Sequence, residues 1–147
     1  MIRVLELVAV LAASLFAGAA IYINLAEHPA RLLLDSANAA RQWAPSYQRA
    51  TWMQAPLAIA SFVTGVAVGL MGGGVAWFVA AVLIGAVVPF TFIVIMPTNQ
   101  KLLSPNLDLA SAETRALLVR WGKLHALRSA SSLAAAALYS YLIVSRP

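Results

Sequence analysis

Residues 75–96, VAWFVAAVLIGAVVPFTFIVIM, form an apolar stretch without a single charged residue. A helix rises about 1.5 Å per residue, so a stretch of this length matches the hydrocarbon thickness of a bilayer. Three further segments of similar character lie at about 4–25, 53–71 and 124–144. The sequence predicts an all-α fold, a four-helix transmembrane bundle in a single domain over residues 1–147.

The composition supports a membrane protein. Of the 147 residues, 62% are hydrophobic and 10% are charged, a balance that is unusual for a soluble domain. Cysteine is absent, which excludes disulfides, thiolate metal ligands and a cysteine nucleophile. The net charge of +5 comes from basic residues that flank the apolar runs. These charges therefore indicate membrane topology, and we expect no nucleic acid partner.

The first apolar segment has an alternative interpretation as a signal peptide. Arg3 precedes it, and Ala17-Gly18-Ala19 resembles a cleavage site. The apolar run is long enough to cross a bilayer, which favours the four-span interpretation.

Small residues recur at four-residue spacing in every span. They are Ser14 and Gly18 in the first, Ser61, Gly65 and Gly69 in the second, Ala81 and Gly85 in the third, and Ser132, Ala136 and Ser140 in the fourth. This spacing lets helix backbones approach each other closely in lipid, so it predicts a compact bundle.

The three connections differ in length. The short one is the glycine hairpin 72–74, and the two long ones are predicted to be helical. Residues 30–42 fit a short amphipathic helix, and Ser111 fits the cap of a helix that continues into the fourth span. Pro45 suits the first turn of the second helix, and Pro56 would kink it.

Basic residues concentrate at the end of the bundle that holds the long connections. That end carries Arg31, Arg41, Arg49, Lys101, Arg115, Arg120, Lys123 and Arg128, and the other end carries Arg3 and Arg146. The positive-inside tendency therefore predicts cytoplasmic long connections, with both termini on the opposite side.

The polar and aromatic residues gather at the same end. They form the clusters Glu27-His28-Pro29, Trp43 to Tyr47, Pro97-Thr98-Asn99 and Trp121 to Arg128. Spacings of four and three residues place Trp121, His125 and Arg128 on one helix face. We expect this face to point into the bundle, because imidazole and guanidinium groups are costly in lipid. The alternative is an interfacial His125 and an Arg128 that extends to the headgroups.

Glu27 and His28 are a candidate acid/base pair at the end of the first span. Adjacent helical residues point about 100° apart, which can leave only one of them facing inward. Asn24, one turn before His28, would extend the polar lining. Pro89 predicts a kink that opens space for a ligand, and Asn99 can donate and accept hydrogen bonds, although both could serve structure alone.

A metal site is a further hypothesis. His28, His125 and Glu27 are its candidate ligands, with Asn99 nearby, and these residue types suit iron, copper or zinc. No H-x-x-x-H or E-x-x-H spacing supports them. The cofactor prediction therefore stays between none and a single metal ion such as iron or copper.

Taken in order, these motifs resemble those of the DUF1772, or anthrone oxygenase-like, family of four-span membrane proteins. The motifs are His28-Pro29, Trp43-x-x-x-Tyr47, Pro89-Phe90-Thr91, Pro97-Thr98-Asn99 with Leu102-Leu103, and Trp121-x-x-x-His125-x-x-Arg128. The resemblance extends from about Leu11 to Leu138. It implies a four-helix membrane fold and, for characterised members, monooxygenase-like oxidation of an anthrone to an anthraquinone with dioxygen.

The resemblance also implies a functional set. Its members are His28, Asn99, Trp121, His125 and Arg128. In a mechanism consistent with both lines of reasoning, a small hydrophobic aromatic substrate stacks near Trp43, Tyr47 or Trp121, with Asn24 lining its site. His28 or His125 removes a proton, and Arg128 and Asn99 stabilise the oxyanion.

Two other classes of function stay open. A non-catalytic membrane binding or accessory protein would use the polar cluster to hold the helices together. A small transporter would need a polar path across the membrane, but the other halves of the spans offer few polar residues. These are Glu6, Ser14, Thr64 and Ser140.

Overall fold

The computed structural model describes residues 1–145, so Arg146 and Pro147 lie outside the described residues. Its four long helices are α1 (Ile2–Arg31), α2 (Ser36–Gly73), α3 (Val75–Leu102) and α4 (Ala112–Val144). Each is long and apolar enough to cross a membrane. The predicted all-α, four-helix membrane fold is confirmed.

The first long connection is shorter than predicted, because both flanking helices extend into it. α1 continues to Arg31, and Asp35 caps the start of α2 by accepting a hydrogen bond from the backbone N–H of Asn38 at 3.0 Å. The separate amphipathic helix expected at 30–42 is therefore wrong. Pro45 lies inside α2 and not in its first turn.

The second long connection is non-helical over residues 103–111. Ser111 then caps α4 and accepts a hydrogen bond from the backbone N–H of Thr114 at 3.2 Å. The predicted cap is confirmed, and α4 runs without interruption into the fourth span. The two connections thus bring the ends of α1 and α3 beside the starts of α2 and α4. We call this end of the bundle the polar end.

Glycines allow close helix packing in the opposite half of the bundle. A Cβ atom on Gly65 would collide with the ring of Tyr139, and one on Gly85 would collide with Phe62. These contacts confirm the expected role of the small residues in α2 and α3.

The small residues that were singled out in α1 do not pack in this way. Ser14 is exposed, and a Cβ atom on Gly18 would meet nothing within 4 Å. The prediction of close packing through Ser14 and Gly18 is therefore wrong. The inward face of α1 contains Glu6, Phe16 and five alanines. The alanines are Ala9, Ala12, Ala13, Ala17 and Ala20.

Helices α2 and α3 separate towards the polar end. They are joined by a hairpin in which Gly72 and Gly74 have positive φ angles of 89° and 95°. α2 packs along the first part of α3, residues 75–85, but has few contacts with residues 91–102, which stay against α4. Pro89 and a π-helical turn at Thr91–Ile95 mark this change of direction. Space for a site therefore opens between the helices at the polar end.

Candidate functional site

Aromatic rings form the centre of the polar end. Trp43 stacks on Tyr47 with ring centroids 5.1 Å apart and meets the edge of Trp121 at 5.8 Å. Trp121 contacts both histidines, with ring centroids 5.0 Å from His28 and 4.8 Å from His125. The expected approach of Trp43 to Trp121 is confirmed, and the indole of Trp121 contacts two buried imidazoles.

These rings border a small cavity that all four helices line. Its volume of about 20 Å³ leaves room for roughly one water molecule. It is lined by Ile23, Arg31, Trp43, Ser46, Tyr47, Ala50, Thr51, Gln54, Thr91, Ile95, Asn99, Trp121, His125 and Arg128. Six of the residues singled out in the sequence are therefore in its wall, whereas Asn24, Glu27 and His28 are not.

Unpaired polar atoms cluster at this cavity. Across residues 1–145, the buried side-chain nitrogen and oxygen atoms without a hydrogen-bond partner are Trp43 Nε1, Gln54 Nε2, Asn99 Nδ2 and Oδ1, Trp121 Nε1 and Arg128 Nε. All of them belong to residues of the cavity wall. Leaving one such atom unpaired costs about 1–3 kcal/mol. Because all but Asn99 Oδ1 are donors, the cavity is suited to a ligand with electronegative oxygen atoms.

Asn24 determines which nitrogen of His125 carries the proton. The Nδ2 group of Asn24 donates to the backbone carbonyl of Gly122 at 3.1 Å, so its Oδ1 atom faces His125. His125 Nδ1 donates to this oxygen at 2.7 Å, and Ser129 Oγ donates to it at 2.6 Å. A neutral His125 therefore has its lone pair on Nε2.

The Nε2 atom of His125 has no hydrogen-bond partner among the described residues, and its ring lines the cavity. This geometry suits a general base. Asn24 was expected to bind substrate, but it instead positions His125 through the hydrogen bond to Nδ1.

His28 has a different environment. Its Nε2 atom donates to the carbonyl of Leu118 at 3.0 Å, because a carbonyl can only accept. Its Nδ1 atom must then accept from Arg31 at 3.1 Å. Both ring nitrogens are engaged, and the ring lies against Gly122. The structure therefore gives His28 no free lone pair for catalysis and places it as a link between α1 and α4.

The three candidate metal ligands do not converge. The Arg31 guanidinium forms an ion pair with Glu27, His28 has both ring nitrogens engaged, and His125 Nδ1 is bonded to Asn24. In the part of the chain that the structure describes, no three His, Asp or Glu side chains are placed to hold a metal ion. The donor set proposed from the sequence does not fit a metal.

Arg128 connects three helices from inside the bundle. It donates to Gln54 Oε1 on α2 and lies 3.4 Å from Thr91 Oγ1 on α3. Its guanidinium carbon is 5.2 Å from the ring centroid of Phe16 on α1. The prediction that the helix face of Trp121, His125 and Arg128 points into the bundle is therefore correct for Arg128.

Arg31 and Gln54 were not recognised from the sequence as site residues. Arg31 contributed only to the charge count, although it lies four residues after Glu27, the spacing of a helical ion pair. Gln54 follows Trp43, Tyr47 and Ala50 at helical spacing. That periodicity would have revealed it had the start of α2 been placed correctly.

Fold and site together define a four-helix membrane protein with an enclosed aromatic and polar cavity at one end. The chain belongs to the anthrone oxygenase family, whose sequence model matches residues 43–138. The matched range contains the cavity residues of α2, α3 and α4. The family predicted from the motifs is confirmed.

Two fungal proteins show the similarity in detail. Anthrone oxygenase ptaC of Pestalotiopsis fici is 38% identical over 109 residues, which cover 65% of this chain and 77% of that protein. Anthrone oxygenase tpcL of Aspergillus fumigatus is 46% identical over 61 residues, which cover 40% of this chain and 38% of that protein. No solved structure matches the chain.

Proposed function

We propose that the protein is a membrane oxidoreductase that oxidises a phenolic, anthrone-type substrate with dioxygen at this cavity. One observation carries the proposal: every unpaired buried polar atom of the described side chains belongs to a residue that lines the same cavity as His125, whose Nε2 atom has no partner. A cluster that only held helices together would pair its own polar groups. The names of the two relatives supply the reaction class.

The cavity wall suits an oxygen-bearing edge of a flat ring system. Tyr47, Trp43 and Trp121 offer aromatic surfaces, and the indole N–H groups are unpaired donors. Asn99 and Arg128 add further donors. Carbonyl and phenol oxygens of a substrate would accept hydrogen bonds from these groups.

His125 begins the reaction in this scheme. Its Nε2 atom removes the hydroxyl proton from the enol tautomer of the anthrone, and the negative charge on this oxygen spreads to the ring carbon opposite. Asn99 and Arg128 donate hydrogen bonds to that oxygen as its charge develops. Asn24 holds the imidazole in the required tautomer by accepting from Nδ1.

Dioxygen is the oxidant. A C–O bond forms between the carbanion and dioxygen, which gives a hydroperoxide after protonation. Loss of the second C–H proton then breaks the O–O bond and releases water. The CH₂ group becomes C=O, dioxygen accepts all the electrons, and one of its atoms enters the product.

Turnover in lipid nanodiscs would test the proposal. The protein should convert a hydroxylated anthrone to the anthraquinone faster than empty nanodiscs do, with one ¹⁸O atom incorporated from ¹⁸O₂. His125→Gln should lower the rate by about 10²–10⁴-fold. His28→Gln serves as the matched control, and its rate per folded protein should stay near that of the wild type. Wild-type turnover at the background rate, or an undiminished rate in His125→Gln, would refute the assignment.

We also propose that the polar end faces the cytoplasm. Arg31 and Arg128 lie inside the bundle, so they do not contribute to the peripheral charge. The basic residues that remain at this end still exceed those at the other. Reporter fusions after Ala110 should report the cytoplasm, and fusions after Gly73 the opposite side. The reverse pattern would contradict this orientation.

A further inference from the structure

A second, larger space opens to the outside of the bundle where α2 and α3 separate. This groove has a volume of about 170 Å³. Its walls are mainly apolar and include Ala55 and Ala58 on α2 and Val88 and Phe92 on α3. Phe92 is 64% exposed at the rim. Since α2 and α3 are spanning helices, the groove faces the hydrocarbon layer.

The groove adjoins the cavity. Tyr47, Thr51, Gln54, Thr91 and Arg128 line both spaces. The hydrogen bond from Arg128 to Gln54 and the contact of Arg128 with Thr91 cross the boundary between them. These side chains therefore form a polar boundary between the apolar groove and the polar cavity.

The difference in volume limits how a substrate can bind. The cavity has room for about one water molecule, whereas the groove is several times larger. A tricyclic ring system cannot enter the cavity as a whole, but an oxygen atom on its edge can. The ring body must then occupy the adjoining groove.

We propose that the ring body of a flat hydroxylated aromatic enters sideways from the hydrocarbon layer and binds in the groove between α2 and α3. Only its oxygen-bearing edge passes between Gln54 and Arg128 to reach His125. The identity of the ligand rests on the proposed function, whereas the route rests on the wall residues that the two adjoining spaces share. The groove is thus the part of the site that selects for ring size and shape.

The absence of cysteine allows a direct test. Ala55→Cys places a thiol in the groove wall, and Val63→Cys places one on the same helix at a position that is 55% exposed. Each variant is treated with N-benzylmaleimide in nanodiscs. Binding of a hydroxylated anthraquinone is measured by quenching of tryptophan fluorescence, before and after modification.

Modification of Ala55→Cys should weaken binding by about tenfold or more, and modification of Val63→Cys should leave binding unchanged. The anthraquinone should also slow the labelling of Ala55→Cys alone. Binding unaffected by the modified Cys at position 55, or labelling that the anthraquinone does not slow, would overturn the proposal and leave the groove to lipid chains.

The outcomes also separate the two proposals. If modification blocks anthraquinone binding but the wild type shows no oxygen-dependent turnover, the groove assignment stands and the oxygenase assignment fails. If turnover occurs and the groove label does not change it, the oxygenase assignment stands and lateral entry fails.

Discussion

Replacing Asn99 with leucine is expected to stabilise the ligand-free protein while abolishing ligand binding. The Asn99 side chain is fully buried, and neither its Nδ2 nor its Oδ1 atom has a partner. Each unpaired group costs about 1–3 kcal/mol, and leucine has a similar volume without polar atoms. Taking the lower end of that range for both atoms, we expect a gain of about 2 kcal/mol in the free energy of unfolding.

Asn24 provides the matched comparison, because its amide makes three hydrogen bonds. It donates to the Gly122 carbonyl and accepts from His125 and Ser129. Asn24→Leu leaves the Nδ1 proton of His125 unpaired, whereas the Ser129 hydroxyl can turn to the carbonyl of His125 at 3.1 Å. We expect a loss of about 2–3 kcal/mol. The same chemical change should thus act in opposite directions at the two asparagines.

Unfolding by SDS in mixed micelles, followed by circular dichroism, measures both changes. Anthraquinone binding to Asn99→Leu is measured in parallel and should be lost. If Asn99→Leu destabilises the protein as much as Asn24→Leu does, the Asn99 amide is satisfied in the folded protein. Unpaired atoms would then be no guide to the ligand site.

Two further predictions concern helix packing and helix capping. A Cβ atom on Gly122 would lie 2.6 Å from His28 Cδ2, so Gly122→Ala should destabilise the bundle by about 1–3 kcal/mol. In the control Gly18→Ala, the added Cβ atom meets nothing within 4 Å, and the free energy of unfolding should rise by up to about 1 kcal/mol. Equal effects of the two substitutions in the same SDS titration would contradict the tight contact at Gly122. At Asp35, the hydrogen bond from the Asn38 backbone N–H holds the pKa of the carboxyl below its ordinary value. The Asp35 carboxylate therefore stabilises the folded protein fully when the pH is above the pKa that this group has in the unfolded chain. The stabilisation is lost as the pH falls through the lower pKa that the group has in the folded protein. The stability advantage of the wild type over Asp35→Asn should therefore shrink below about pH 4, and a difference that does not change with pH would refute it.

The sequence predicted the features that depend on periodicity along one helix. Long apolar runs predicted the four spans, because the bilayer sets their length. The spacing of Trp121, His125 and Arg128 gave one inward stripe, because residues three and four apart share a helix face. Both results need only local geometry.

The roles of individual polar residues could not be predicted in the same way, because they depend on contacts between helices. Asn24 contacts His125 across about 100 positions of sequence, and His28 contacts the Leu118 carbonyl across about 90. No spacing rule connects such pairs. For this reason the roles predicted for Asn24, substrate binding, and for His28, catalysis, differ from the positioning and helix-linking roles that their contacts indicate.

The two histidines show how partners determine chemistry. Both are buried against the same indole of Trp121, yet His28 has both nitrogens engaged and His125 has one left free. A folded chain tolerates unpaired polar atoms at a site whose function supplies the missing partner. In the described chain these atoms belong to residues of the cavity wall, which includes His125 and does not include His28. The base and the unsatisfied donors therefore belong to one site, and a ligand that pairs with the donors is held within reach of the base.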